Sequence, residues 1–279
     1  MAPMTVNRNP QAQQMADESM VRNLAAQARA IWPQERALFQ GYGLAADASI
    51  LDLACGTGEI TSRLAELFPD ATLLGADLEQ SHLNSAAQRC ARFGDRVRFE
   101  RADAYELPWQ AEFDLAVCRH MLQAVPEAWK VVAQMARAVK PGGRLHVLAE
   151  DYNMMHFWPV AGDNDEFWRL GPIAYARNTG TDLRGGRKVF TWMRELGLTD
   201  VRVDYVTLDT VRADRETFAQ IWEAWRDGYT DVIAGNTTLT RQQVWDGWNE
   251  MIAAIRNPDG YACWHIPIIT GVKPSTHIA

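Results

Sequence analysis

The residues Asp52-Leu-Ala-Cys-Gly56-Thr-Gly58 hold the densest chemistry in this chain. They close an apolar run that begins at Ser49 and lead into an amphipathic stretch, Glu59 to Leu67. Glycines let the backbone approach a ligand closely, and a helix that starts there offers unpaired N–H groups. Two ligands compete for such a turn: the pyrophosphate of a dinucleotide, and an adenosyl cofactor carrying a cationic amino-acid moiety. A dinucleotide fingerprint needs Gly or Ala three residues after Gly58, where Thr61 stands. An acidic residue at position 52 also suits a cation better than a pyrophosphate. Further titratable residues follow at intervals: Asp77, Asp103, the Arg119-His120 pair and Glu150-Asp151.

The elements that position these residues are legible from periodicity. Strand-type runs cover 49–54, 72–76, 97–101, 113–118 and 144–149, and helical patterns cover 59–67, 81–93 and 129–139. An earlier helical pattern from Asp17 to Gly41 is predicted to break in two at Pro33. Strands alternating with helices at this pitch make βαβ units and a parallel, doubly wound sheet of α/β class. Ligands in such a sheet lie beyond the carboxyl ends of its strands, where the acidic and basic residues above accumulate. Farther on, a helix over 189–196 and a strand over 201–211 precede two helices, 216–233 and 241–255, and a last apolar run, 261–272.

In order along the chain, Ile50-Leu-Asp-Leu-Ala-Cys-Gly-Thr-Gly58, Gly75-Ala-Asp77, Arg101-Ala-Asp-Ala-Tyr-Glu-Leu-Pro108, Phe113-Asp-Leu and Val139-Lys-Pro-Gly-Gly-Arg144 resemble the class I S-adenosylmethionine-dependent methyltransferases. The small-molecule enzymes of the ubiquinone/menaquinone methyltransferase type are the nearest in pattern. The resemblance covers about residues 20–150 strongly and 180–275 weakly. Ala54 departs from the broadest form of the pattern, which has glycine, and little effect is expected from it. The resemblance implies a Rossmann-like sheet of seven strands, the last ones antiparallel, with S-adenosyl-L-methionine as cofactor. It places Asp77 on the ribose hydroxyls, Asp103 and the backbone of Ala104 on the adenine amino group, and Leu78 and Leu107 about the adenine ring. Asp52, Ala54, Gly56, Thr57 and Gly58 form the loop, and Arg119 presents its carbonyl to the methionine ammonium.

Methyl transfer from a sulfonium needs alignment and desolvation, with a general base only when the nucleophile starts protonated. His120 and His156 are the expected catalytic residues, with Glu150, Asp151 and His265 as further rim candidates. Tyr152, Asn153, Trp222 and Trp225 are expected to contact substrate. Of eleven tryptophans, eight lie after residue 150, so the later helices offer large flat surfaces suited to an aromatic or cationic acceptor.

The predicted organisation is an N-terminal arm and helical lid over 1–45, a cofactor-binding core over 46–212, an inserted helical cap over 213–258 and a final strand over 259–279. Twenty-eight Lys and Arg against thirty-five Asp and Glu give a net charge of −7, which argues against broad nucleic-acid binding. No run approaches the roughly 20 apolar residues that cross a bilayer, and Met1–Met15 lack a secretory pattern. Four scattered cysteines, Cys55, Cys90, Cys118 and Cys263, read as reduced thiols without metal-ligand spacing. A cytoplasmic protein is expected, acting on a small-molecule acceptor with no metal, nucleic acid or membrane, and compatible with a homodimer. The rival readings are an RNA or protein methyltransferase, a nicotinamide-dependent oxidoreductase and a non-catalytic adenosylmethionine-binding protein.

Overall fold

A computed structural model describes residues 7–275. Five strands form the parallel part of the sheet: β1 (Ser49–Leu53), β2 (Thr72–Asp77), β3 (Val97–Arg101), β4 (Phe113–Arg119) and β5 (Val139–Leu148), in the order β3-β2-β1-β4-β5. Their central members are nearly continuous buried apolar runs, as a sheet covered on both faces requires. Gly75 on β2 is one position where a side chain would not fit, because a Cβ there would lie 2.5 Å from the Phe99 ring.

Beyond β5 every pairing is antiparallel. The long strand β8 (Tyr261–Val272) pairs through residues 268–272 with β5, and on its other edge with β7 (Thr199–Asp209). An eighth strand, β6 (Met155–Trp158), adds to the seven expected ones and pairs with residues 261–264 of β8. Helices α3 (Glu59–Leu67), α4 (Gln80–Cys90), α5 (Trp129–Ala138) and α8 (Gly186–Glu195) cover the sheet. Helices α9 (Arg215–Asn236) and α10 (Arg241–Arg256) lie between β7 and β8, each started by a side-chain cap, Asp214 and Thr240. Two shorter helices, α6 (Asn164–Leu170) and α7 (Pro172–Thr179), join the same cap and were not apparent from periodicity.

The N-terminal residues form a short helix, α1 (Ala12–Ala16), and a long one, α2 (Glu18–Gln40). Here the expected break fails: α2 runs unbroken through Pro33. An interior proline costs about 3 kcal/mol, yet Met20, Ala26, Ile31 and Phe39 on both sides of it are buried. The Gln34 side-chain amide also donates to the Thr207 carbonyl of β7 at 2.8 Å and accepts the Thr207 N–H at 3.1 Å. Tertiary packing on both halves therefore outweighs the local penalty. Helix α2, the helices between β7 and β8 and the sheet share an aromatic core in which Trp222 and Trp264 are fully buried and meet edge to face at 5.7 Å. At roughly 200 Å² each, burial of such rings contributes on the order of 5 kcal/mol apiece.

Candidate active site

The carboxyl ends of β1 to β4 open into a cleft of about 290 Å³, covered by residues of the N-terminal segment. The glycine turn forms its floor with three left-handed residues in five: Ala54 at φ +57°, Gly56 at +52° and Gly58 at +76°. Ala54 therefore occupies a conformation that disfavours alanine, so the departure noted in the sequence carries a conformational cost. A Cβ on Gly58 would meet Ala86 of α4 at 2.9 Å, which makes this glycine a helix-packing residue rather than a cleft-lining one. Gly56 lies under the Leu24 side chain of the lid helix, 2.8 Å from where its own Cβ would be.

Asp77, at the end of β2, accepts the Gly56 N–H at 2.8 Å and the Glu79 N–H at 2.9 Å, which fixes its carboxylate at the cleft wall. Asp103 accepts the Tyr105 N–H at 2.9 Å and lies 3.6 Å from Arg8 of the arm. Ala104 and the half-exposed Leu78 complete that end. Leu107 does not: it is buried in the core behind the strands, because the turn after β3 directs it away from the cleft.

A small recess of about 30 Å³ adjoins the turn and is lined by Asp52, Thr57, Arg119 and His120 among others. Burial pushes the Asp52 carboxyl up to about 6, against the opposing effects of a 2.6 Å hydrogen bond from Thr61 and the Arg119 charge. Arg119 donates through Nε to Glu35 of α2 at 2.8 Å, and its buried Nη2 has no partner among the described residues. Glu35 also bonds His146 Nε2 at 2.9 Å, and Tyr42 bonds His146 Nδ1 at 2.6 Å. Burial alone would raise the Glu35 carboxyl, but the Arg119 charge and the His146 hydrogen bond prevail and hold it below its ordinary value. Burial lowers His146, so this buried chain is an ion pair, Arg119–Glu35, backed by a neutral imidazole.

His120 lines the cleft, the recess and a further cavity beyond them. It follows β4 at φ +54°, a strained value for a residue with a side chain, and its N–H donates to Leu148 at 3.2 Å. Its Nδ1 is hydrogen bonded to the fully buried Glu150, just beyond β5, while its Nε2 has no partner among the described residues.

On the far side of His120 lies a second cavity of about 60 Å³ between α2, the sheet end and helices α6, α7, α9 and α10. Tyr152 and Trp225, two of the expected substrate contacts, line it, and Trp168, Tyr175 and Trp248 join them. Tyr152 stacks on Trp168 with ring centres 5.2 Å apart. Trp222 does not reach the cavity. It is fully buried one turn from Trp225, with its indole N–H on the Met251 sulfur at 3.4 Å. His156 and Asn153 are also misplaced by the sequence reading: both are exposed and line neither cavity, because the chain turns outward after Asp151 to build β6 at the sheet edge. Asp151 is engaged by Arg187 at 2.8 Å, and His265 by Thr207 at 3.1 Å. Sequence reasoning missed Glu35, Gln27 and Leu24 on α2, whose only signal was the helical pattern of an element with no catalytic motif.

A family model described as a methyltransferase domain matches residues 50–143, the segment from β1 to β5. Over 173 residues the chain is 34% identical to the ubiquinone biosynthesis O-methyltransferase of Methylococcus capsulatus, covering 56% of this chain and 72% of that one. It is 39% identical over 105 residues to the 27-O-demethylrifamycin SV methyltransferase of Amycolatopsis mediterranei, covering 37% of this chain and 38% of that relative. The chain thus spans about two fifths of the length of that relative and of the trans-aconitate 2-methyltransferase of Deinococcus radiodurans, to which it is 39% identical over 100 residues. Among solved structures, the cyclase SpnF superposes with a TM-score of 0.58 at 21% identity, over 96% of this chain and 97% of that one. The Haemonchus contortus phosphoethanolamine N-methyltransferase 2, in complex with phosphomonomethylethanolamine and S-adenosylhomocysteine, superposes at 0.57 with 21% identity, over 87% and 53%. The cleft fits an adenosyl amino acid: carboxylates stand at the ends of β2 and β3, and an orphaned guanidinium donor lies at the far end beside Asp52. With its glycine turn, its sheet and a relative matched over most of that relative's length, the chain belongs to the class I S-adenosylmethionine-dependent methyltransferases of the small-molecule type.

Proposed function

We propose that this protein methylates a hydroxyl oxygen of a small, ring-containing metabolite, with His120 as general base. The observation that carries this reading is the His120–Glu150 pair at the junction of the two cavities, with the imidazole Nε2 unpartnered among the described residues. Asp77 would hold the ribose hydroxyls, and Asp103 with the Ala104 backbone the adenine. Leu78 would cover the ring, and Ala54, Gly56 and Thr57 the floor. Asp52 and Arg119 would bracket the amino-acid end, one facing the ammonium and the other the carboxylate. When bound, the cofactor supplies a sulfonium methyl, an electrophile that requires no activation by the protein.

The chain's own work is then to aim the acceptor and to manage one proton. Glu150 accepts from Nδ1–H, which sets the tautomer and leaves the Nε2 lone pair toward the acceptor. As the oxygen attacks, Nε2 takes its proton, and the buried Glu150 carboxylate stabilises the imidazolium that forms. Tyr152, Trp168 and Trp225 hold the acceptor and keep water away from the transfer. The aligned geometry provides most of the acceleration, since proton removal typically adds about 10²–10⁴-fold. Incubation with methyl-labelled S-adenosylmethionine and a panel of hydroxylated metabolites tests the reading. Label in an ether product, lost in His120→Ala, is expected; transfer exclusively to nitrogen, or equal transfer without the imidazole, would overturn it.

A further inference from the structure

The second cavity has a charge inventory of its own. Among the described residues lining it there is no Lys or Arg, and its one carboxylate, Glu150, is engaged by His120 through Oε1, with Oε2 unpartnered. Apart from the His120 imidazole, the other polar groups in its wall are amides, hydroxyls and indoles. Several of those neutral groups are buried with atoms that lack a partner among the described residues. On the cap side these are the indole N–H groups of Trp168 and Trp248 and the Tyr175 hydroxyl. On the lid side and the turn after β4 they are the side-chain oxygens of Asn23, Gln27 and Gln123. A buried polar atom left without a partner costs about 1–3 kcal/mol. Native interiors leave few of them, yet here they surround one small space.

From this we infer that the methyl acceptor is a neutral, polyoxygenated ring compound, held by hydrogen bonds around its rim and by aromatic faces above and below. The inference rests on the proposed methyl transfer for the position of the reacting hydroxyl, but its own content is the class of molecule bound. An anion entering the cavity meets no cation to replace its hydration, and burying an unpaired charge is far costlier than burying a hydroxyl. A cation finds ring faces and the free Oε2 of Glu150, but that carboxylate already holds His120 through Oε1, and the indole N–H groups demand acceptor atoms that a cation does not offer. Carbonyl or ether oxygens satisfy the two indoles, and hydroxyls satisfy the amide oxygens and Glu150. The cavity of about 60 Å³ is smaller than the roughly 150 Å³ that takes a benzene. A ring therefore enters by displacing the flexible Met15, Met20 and Leu24 side chains that close the lid side.

Three catechols that differ in charge test this directly: methyl caffeate is neutral, caffeic acid carries a carboxylate and dopamine an ammonium. Their binding to the full-length protein loaded with S-adenosylhomocysteine is measured by calorimetry at pH 7. Methyl caffeate is expected to bind at least tenfold more tightly than either charged analogue. Trp168→Phe and Trp248→Phe keep the ring and delete the donor. Each should weaken methyl caffeate roughly tenfold, the scale of one buried hydrogen bond, with unchanged affinity for S-adenosylhomocysteine. Trp245→Phe, on the outer face between Arg226 and Arg241, should match wild type. Equal or tighter binding of a charged catechol, no binding of the neutral one, or indifference to both Phe substitutions would overturn the assignment. Binding of methyl caffeate without methyl transfer would leave the acceptor class standing and remove the proposed reaction. Transfer to the charged catechols alone would do the reverse.

Discussion

Replacing Asp52 with asparagine should stabilise the protein without cofactor, and only above mildly acid pH. Burial raises the Asp52 carboxyl from 3.8 to about 6, although Thr61 donates to it and Arg119 lies near. In the unfolded chain the group titrates near its ordinary value, so between roughly pH 4 and 6 the folded protein binds more protons than the unfolded one. Stability then falls as pH rises through that window. Above about pH 6 the carboxylate is ionised in both states and the whole cost is present. Two pKa units correspond to about 3 kcal/mol. Asparagine keeps an oxygen for the Thr61 hydroxyl and removes the charge, so the variant should recover most of that energy at pH 8 and almost none at pH 4. For a chain of this size, 3 kcal/mol is a rise in Tm of about 5–10 °C. Calorimetric melts of both proteins at the two pH values isolate the effect, because every other group titrates alike in the pair. A Tm difference that does not change with pH, or a variant less stable at pH 8, would show that Arg119 and Thr61 fully compensate the burial.

The two tryptophans one turn apart on α9 should separate. Trp222→Ala should cost about 3–5 kcal/mol of stability, whereas Trp225→Phe should raise the acceptor KM with little change in Tm, as thermal melts and steady-state kinetics will show. Ala54→Gly should stabilise by about 0.5–1 kcal/mol in urea unfolding, since relief of the left-handed strain exceeds the added freedom of the unfolded chain. Gly58→Val, by contrast, should unfold the α3–α4 contact at Ala86. Asp77→Ala should weaken S-adenosylhomocysteine by roughly 10–150-fold in calorimetry, equivalent to about 1.5–3 kcal/mol.

The parallel half of the fold was legible because its signals are local. Ser49–Leu53 and Phe113–Arg119 are apolar runs that stop at a glycine turn or a polar pair, and β8 spans the range its apolar pattern marks, 261–272. What escaped depends on distant partners. β6 is four residues that form a strand only because the end of β8 extends past β5, and that strand carries His156 out to solvent. Pro33 reads as a helix breaker until the packing of α2 on α9 and β7 is known. Trp222 and Trp225 look equivalent by spacing, but three residues leave side chains about 60° apart on a helix, enough to send one into the core and the other to the cavity. His120 could be placed at the cleft from sequence because strand ends in this topology face one crevice. Glu35, which holds Arg119 behind the crevice from α2, had no such marker.

The rate constant of His120→Ala for single-turnover transfer from methyl-labelled S-adenosylmethionine, with methyl caffeate as acceptor, tests the central claim most directly. S-adenosylhomocysteine affinity is measured on the same preparation. The imidazole held by Glu150 predicts a fall of about 10²–10⁴-fold in rate with cofactor affinity changed less than threefold. A rate within a few-fold of wild type, at unchanged cofactor affinity, would contradict it.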